Sequence, residues 1–422
     1  MTSPGNTPAE LRYNPLRKGH PLGLLEDACL PLRAPRYATC KACENVCPVQ
    51  ALHVEETVIR LDDSCVNCGR CSAACPMGAL GLPGFSVPEI PRETLRPLAV
   101  DCWKVPARLT PDDGLRVPCL GGLSRGRILE MVMAAGPRPV EMLDRGWCAT
   151  CSAGKCGAAA EHPEAEHLAA QQPTVTHPAV AHPVAASLKS ARSLLEAAGS
   201  GPERLPRLRA LHLPSELMPV EIPPPVTETR MSRRGFFSAL TAKATVAVDQ
   251  IRPLPGIEAR RRRGFEREPV QSRERQRVLF SMERIAQSAW LAPPPGLFHR
   301  VEVSAACCNH QLCASICPTG ALAVFEEAGR SELMFDTQLC IGCGECHVIC
   351  PSGALSLLPN GYNAEGEALP DHPIRLTSFG EKSCPECGQS FTDKAGEDLC
   401  PQCEKRHNLA SSAFQSLFGS RR

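Results

Sequence analysis

Aromatic residues make up only 4% of this 422-residue chain, and neither sign of charge prevails, since the formal net charge is +1. A chain so nearly neutral has no global field to draw it to nucleic acid or to an anionic membrane surface. No run approaches the eighteen or so apolar residues that a spanning helix requires, so direct membrane insertion is not expected. The opening MTSPGNTPAELRYNPLRKGH has no apolar core of the kind a secretory signal needs, which points to a soluble, cytoplasmic protein. Missing too are a Gly-rich dinucleotide fingerprint between a strand and a helix, a flavin motif, a Ser/His pair and paired carboxylates; GLPG is a turn signal. These absences leave little ground for a stand-alone enzyme and shift attention to what is abundant.

Cysteine is abundant, at 25 residues, and so is proline, at 41. A disulfide scaffold explains such cysteine use in short secreted chains, whereas a chain of this length, expected to hold roughly two to four domains, fits metal ligation in a reducing compartment. Apolar residues still reach 43%, so compact pieces should alternate with extended proline-rich connections.

One phrase occurs four times: Cys47-Pro48 before VQAL, Cys75-Pro76 before MGAL, Cys317-Pro318 before TGAL and Cys350-Pro351 before SGAL. In each pair a strand-like segment, TVIRLDD or SELMFDT, precedes the second cysteine run, and another, ALHV or ALAVF, follows the first Cys-Pro. Each pair therefore reads as a small α+β unit with internal two-fold symmetry. Within them, Cys65-x2-Cys68-x2-Cys71-x3-Cys75 and Cys340-x2-Cys343-x2-Cys346-x3-Cys350 bring three soft thiolates together with little loop-closure cost, which suits iron bound in a sulfide core.

On these motifs the chain resembles the bacterial two-cluster ferredoxins, over residues 29–85 and 300–358. The resemblance implies two 2[4Fe–4S] modules, spanning 20–90 and 298–360, with the fourth cysteine of each run crossing to the other cluster. The first module would then use Cys29, Cys40, Cys43 and Cys75 for one cluster and Cys65, Cys68, Cys71 and Cys47 for the other. The second would use Cys307, Cys308 or His310, Cys313 and Cys350 for one, and Cys340, Cys343, Cys346 and Cys317 for the other.

Two positions depart from the pattern. Counting back from Cys47, the first ligand position falls on Tyr37, and Cys29 is the free cysteine expected to replace it; the alternative is a three-iron or missing cluster. Counting back from Cys317, the second position falls on His310. Softness favours the adjacent Cys308, which is the replacement expected, while register favours His310.

Between the modules, LRVPCLGGLS, GRILEMVMAAG and PVEMLDRGWC give a strand–helix–strand rhythm over 95–160, with Cys102, Cys119, Cys148, Cys151 and Cys156 as candidate ligands. This stretch resembles the small iron–sulfur subunit that connects methanogen hydrogenases to heterodisulfide reductase, which implies a [2Fe–2S] or similar cluster; a redox-active thiol group or a zinc site remain open. Residues 161–230 read as a Pro/Ala-rich linker whose histidines are expected to be solvated, apart from a short helix near 188–200. A basic helical segment is expected over 231–295, with Val278, Leu279, Met282 and Ile285 at helical spacing behind Arg260 to Arg263. It opens on Met231-Ser232-Arg233-Arg234-Gly235-Phe236-Phe237, which resembles a twin-arginine export signal but is internal and expected to be vestigial.

Near the C-terminus, Cys384-x2-Cys387-x12-Cys400-x2-Cys403 resembles a zinc ribbon over 378–410; zinc or a mononuclear iron suits its two knuckles. The short apolar run Phe414 to Phe418 is a candidate docking tail. The fold class expected is α+β multidomain: two ferredoxin-like modules, a small α/β-like region and a zinc ribbon, joined by Pro-rich linkers. Clusters with all-thiolate ligation have no open position for substrate, so the chain is expected to carry electrons between a redox donor and acceptor. An accessory protein for maturation of a redox enzyme, or a redox-sensing regulator, is the alternative.

Overall fold

A computed structural model describes residues 13–33, 40–55, 58–87, 96–154, 182–219, 269–286, 297–327, 329–359, 361, 372–392 and 398–419. Of these, the residues up to 219 together with Val270–Leu297 form one unit, and Phe298 onward belongs to a second.

The first unit begins with β1 (Asn14–Pro15) and β2 (Gly23–Leu24), followed by α1 (Leu30–Arg33), α2 (Ala42–Asn45), the hairpin β3 (Leu52–Val54) and β4 (Ile59–Leu61), α3 (Arg70–Ala74) and β5 (Leu80–Gly81). β1, β2 and β5 make one small antiparallel sheet, and β3 pairs with β4 with Leu52 opposite Leu61. The helices are four or five residues long because α2 and α3 each run into a Cys-Pro pair, where the missing N–H and the proline ring end helical pairing.

The chain then builds a parallel sheet from β6 (Leu98–Cys102), β7 (Leu115–Val117), β8 (Val140–Asp144) and β9 (Arg207–Ala210), ordered β7-β6-β8-β9, with α4 (Arg125–Ala135) after β7 and α5 (Ala185–Ala197) after β8. Leu98, Ala99 and Val100, and likewise Val140, Met142 and Leu143, are buried in succession, as expected for central strands covered on both faces. Ser124 caps α4 by accepting the Arg127 amide. Beneath the strands, Asp101 and Arg145 pair at 2.6 Å, and Thr110 donates to the same carboxylate.

The linker expected over 161–230 is corrected here. Within residues 182–219 the short helix expected near 188–200 is present as α5, which buries Leu188, Ala191, Leu194 and Leu195, and the fourth strand, which was not expected, follows it. β9 reads as polar because it is an edge strand: Arg207 and Arg209 each reach Glu141 on β8, at 2.9 Å. The α/β region therefore extends beyond 160 to about the end of this stretch.

The helical segment is also corrected, from a separate piece to part of the first unit. Helix α6 (Arg273–Ala286) buries Val278, Met282 and Ile285, and α4 is the helix it packs on. Glu274 accepts the Gly126 amide at 2.8 Å and the Ser124 hydroxyl at 2.9 Å, placing a carboxylate at the N-terminus of α4. Ser272 donates to the Pro76 carbonyl and the Arg273 amide to that of Met77, so the same segment grips the ferredoxin-like module. The twin-arginine-like run, Arg260 to Arg263 and Cys156 lie outside the described residues.

The second unit contains β10 (Arg300–Val303), α7 (Leu312–Ile316), β11 (Leu322–Glu327), β12 (Arg330–Phe335), α8 (Glu345–Val348), β13 (Leu355–Leu358), β14 (Ile374–Ser383), β15 (Ser390–Thr392) and α9 (Pro401–Phe418). β10 pairs with β13, and an antiparallel sheet runs β11-β12-β14-β15 over a core of Val301, Leu322, Leu333, Phe335 and Leu355. The ribbon is thus not a separate segment: β14 pairs with β12 of the ferredoxin-like module and with β15 of the ribbon. The side chains of Phe414 to Phe418 lie outside the described residues. Among the described residues no helix is long and apolar enough to cross a membrane.

Candidate metal centres

The third residue after each Cys-Pro cysteine has a left-handed backbone: Gln50 (φ 51°), Gly78 (65°), Gly320 (72°) and Gly353 (59°). That turn explains glycine in three of the four phrases, and it aims main-chain N–H groups at the cysteine. Ala51 donates to Cys47 Sγ and Ala79 to Cys75 Sγ, both at 3.2 Å, and Leu322 to Cys317 Sγ at 3.5 Å. Donors aimed at sulfur are what a thiolate ligand needs.

In the first module the cysteines meet in two groups. Cys29 lies between a single 3-10 turn (Glu26–Ala28) and α1, and its charged neighbours are Cys75 and Cys40. Those of Cys43 are Cys75, Cys40 and Cys29. Cys29, Cys40, Cys43 and Cys75 line one hollow, while Tyr37 lies outside the described residues. Burial pushes the Cys29 thiol up to about 11 and, helped by its neighbours' charge, that of Cys43 to about 12. The second group joins Cys65, Cys68, Cys71 and Cys47, whose thiols at Cys65, Cys68 and Cys71 are likewise raised, first by burial. Thiols gathered this way resist ionising together unless a cationic core neutralises them, so both groups fit an iron–sulfur core.

In the second unit Cys343 and Cys346 have Cys317 and Cys340 as charged neighbours, which closes one four-thiol group. Around the other, Cys313 has Cys307 and Cys350. Cys308 is turned to the Ala306 carbonyl, 3.4 Å away, and His310 is exposed. The backbone at His310 nevertheless repeats that of the second cysteine in each regular run. Cys68 is flanked by Asn67 (φ 53°) and Gly69 (75°), Cys343 by Gly342 (69°) and Gly344 (78°), and His310 by Asn309 (53°) and Gln311 (60°). Two non-glycine residues in that region are costly unless held, and they are held: Asn309 donates to Thr392 and Gln311 to Ser331.

A further group gathers where the parallel strands end. Cys102 closes β6, Cys119 follows β7, and Cys148 and Cys151 follow β8. Cys119 has Cys68, Cys102 and Cys148 as charged neighbours, and Cys148 has Cys102 and Cys151; burial first, then these charges, lift the Cys148 thiol to about 12 and raise that of Cys119 well above its ordinary value. Lys104 Nζ lies 3.6 Å from Cys151 Sγ. His182, one of the histidines expected to be solvated, is instead 3.3 Å from Cys148 Sγ, and burial lowers its pKa although Asp144 opposes this. No spacing rule links residues so far apart in the chain; only closure of the sheet brings them together.

At the C-terminal knuckles the sulfurs of Cys384, Cys387, Cys400 and Cys403 all lie within 4.8 Å of one another, with Cys387 and Cys400 at 3.6 Å. Ligands about 2.3 Å from one tetrahedral ion sit at about this separation. The Cys400 amide donates to Cys384 Sγ at 3.4 Å, and the thiol of Cys384 is lowered to about 6 by that amide first. Glu386 receives Arg406 at 2.7 Å and also His407, tying the first knuckle to α9.

Residues 37–82 match the LdpA Fe-S cluster-binding domain family, and residues 333–356 match the 4Fe-4S binding domain family. Formate hydrogenlyase subunit 2 from Escherichia coli strain K12 is 35% identical over 69 residues, which is 16% of this chain and 34% of that protein. The Shigella flexneri protein of the same name matches to the same extent. Ferredoxin 7Fe from Hydrogenibacillus schlegelii is 43% identical over 49 residues, 11% of this chain and 62% of that one. The chain thus spans about a third of the hydrogenlyase subunits and under two thirds of the ferredoxin. The two matched stretches are the ones that carry the regular cysteine runs Cys65–Cys75 and Cys340–Cys350, and the matches support iron–sulfur sites there.

Proposed function

We propose that this chain is a multi-cluster iron–sulfur electron-transfer protein that relays single electrons between a donor and an acceptor, as a component of an oxidoreductase complex. The observation that carries the reading is the convergence of cysteines from separate stretches into four-thiol groups, such as Cys317 with Cys340, Cys343 and Cys346. An all-thiolate core supplies reversible one-electron chemistry and leaves no position for substrate. The printed names of the similar proteins, a hydrogenlyase subunit and a ferredoxin, agree with that chemistry.

In this reading Cys29, Cys40, Cys43 and Cys75, and Cys65, Cys68, Cys71 and Cys47, hold two cubanes in the first module. Cys340, Cys343, Cys346 and Cys317 hold a third. Cys307, Cys313 and Cys350 hold three corners of a fourth, with His310 at the remaining corner; the repeated left-handed flanks of the middle ligand favour it over Cys308. Cys102, Cys119, Cys148 and Cys151 hold a further iron–sulfur group. Cys384, Cys387, Cys400 and Cys403 hold structural zinc, for which the closeness of their sulfurs speaks.

Anaerobic purification with iron, sulfide and zinc counts, combined with electron paramagnetic resonance (EPR) during a reductive titration, tests the reading. Four cubanes, one further centre and one zinc per chain, with reversible reduction, are expected. Clusters that stay inert to reduction while the protein binds a cluster-free enzyme would place it among maturation factors instead.

A further inference from the structure

In a parallel sheet, side chains at the carboxyl ends of the strands flank a crevice where the chain's direction of growth reverses. Here β7 lies on one side of β6 and β8 on the other, so the reversal falls at β6, and Cys102, Cys119, Cys148 and Cys151 occupy the ends of these three strands. His182, just ahead of α5, adds a fifth group to this crevice.

The ring of His182 is fixed from both sides. Its Nδ1 accepts the Val184 amide at 3.3 Å, and its Nε2 lies 3.3 Å from Cys148 Sγ. A neutral imidazole that accepts at Nδ1 carries its proton on Nε2, so the ring donates to the sulfur and is not a ligand. Asp144 Oδ1, 3.9 Å from the same nitrogen, already accepts the Gly146 amide at 2.8 Å, which leaves sulfur as the nearer acceptor.

The crevice also adjoins the Cys47, Cys65, Cys68 and Cys71 group. The turn after Cys119 packs on the loop that carries Cys68: a Cβ at Gly122 would lie 2.3 Å from the Cys68 carbonyl oxygen. Arg70, between Cys68 and Cys71, donates to the Ala153 carbonyl at 3.3 Å, two residues past Cys151.

We propose that His182 is a positioning residue of a redox-active iron–sulfur group held by Cys102, Cys119, Cys148 and Cys151, donating Nε2–H to the Cys148 sulfur, and that Cys119 and Cys68 make this group the immediate electronic neighbour of the cluster at Cys47, Cys65, Cys68 and Cys71. The inference rests on the iron–sulfur reading above. A donor aimed at a ligand sulfur favours the reduced, more negative state, so it raises the reduction potential.

The test uses the full chain, purified anaerobically, with iron counted and potentials read by EPR-monitored titration. His182→Leu is expected to move the midpoint of one signal to more negative potential at unchanged iron content, while His182→Gln, which keeps an N–H donor, stays near the unsubstituted value. Cys148→Ala is expected to remove that signal and its share of iron, and with it the magnetic broadening that a reduced neighbour imposes on a cubane signal. An unmoved midpoint in His182→Leu overturns the donor role, and loss of iron in that variant overturns it in favour of ligation. Unchanged iron and spectrum in Cys148→Ala overturn the group itself, and absent broadening in the unsubstituted protein overturns the neighbour relation. A protein with no reducible iron–sulfur signal at all would instead sink the reading in the preceding subsection.

Discussion

Gly122 approaches the Cys68 carbonyl so closely that a Cβ at this position would lie 2.3 Å from the oxygen and 2.4 Å from the Phe85 ring. The turn that follows Cys119 is therefore pressed directly onto the loop that carries Cys68. Because the obstacle includes main chain, it cannot swing aside as a flexible side chain would. Gly122→Ala is expected to destabilise the first unit by roughly 1–3 kcal/mol, the usual cost of overpacking. Denaturant unfolding followed by far-ultraviolet circular dichroism checks this, and an unchanged midpoint would count against the close approach.

Asp101 and Arg145 are both buried, at 0% and 5% side-chain exposure, and Arg145 also donates to the Leu109 carbonyl. Removing one partner of such a pair strands the other charge away from water. Asp101→Asn is expected to cost about 3–5 kcal/mol of stability, whereas a well-packed apolar replacement of both partners should recover much of it. Urea titration of the single and paired variants distinguishes the two cases.

Burial by itself would raise the Glu141 carboxyl, but hydrogen bonds from Arg207 and Arg209 outweigh it and hold the pKa below its ordinary value. A carboxylate depressed on folding stabilises the native state above its unfolded pKa, and the contribution fades as pH falls through the folded value. Since both arginines are about half exposed, with side chains at 51% and 56%, the effect is discounted to about 1 kcal/mol. Melting temperatures of the unsubstituted protein and Glu141→Gln should differ at neutral pH and converge on acidification below about pH 4.

His310 and Cys308 compete for one corner of the Cys307, Cys313 and Cys350 group. His310→Ala is expected to yield a three-iron signal in the oxidised protein and one iron fewer per chain, while Cys308→Ser leaves both unchanged. Low-temperature EPR with iron analysis decides between them. A three-iron signal already present in the unsubstituted protein would show that this corner is open.

The ligand groups were legible because Cys-x2-Cys-x2-Cys spacing fixes which sulfurs can meet, whatever surrounds them. Cys29 was reached by elimination, as the cysteine beside a register position that holds Tyr37, and it lines one hollow with Cys40, Cys43 and Cys75. The parallel sheet was only half legible. Its first three strands are apolar, but β9 is Arg-Leu-Arg-Ala, an edge strand whose character comes from Glu141 across the pair and from exposure. The helix expected near 188–200 is α5, but its start at Ala185 lies in a proline- and alanine-rich stretch, and that stretch hid the role of His182. The strand shared by the ribbon and the second ferredoxin-like module was equally out of reach, because β14 carries no motif and acquires its role only by pairing on both edges.

The grip of Ser272, Arg273 and Glu274 on Pro76, Met77 and α4 gives the first unit an order of completion during synthesis. On the ribosome, Cys29 to Cys75 emerge well before the segment that clasps their module has been translated. Until then the module goes without the hydrogen bonds that Ser272 and Arg273 bring to Pro76 and Met77, so a chain cut short before residue 272 should carry a looser first unit.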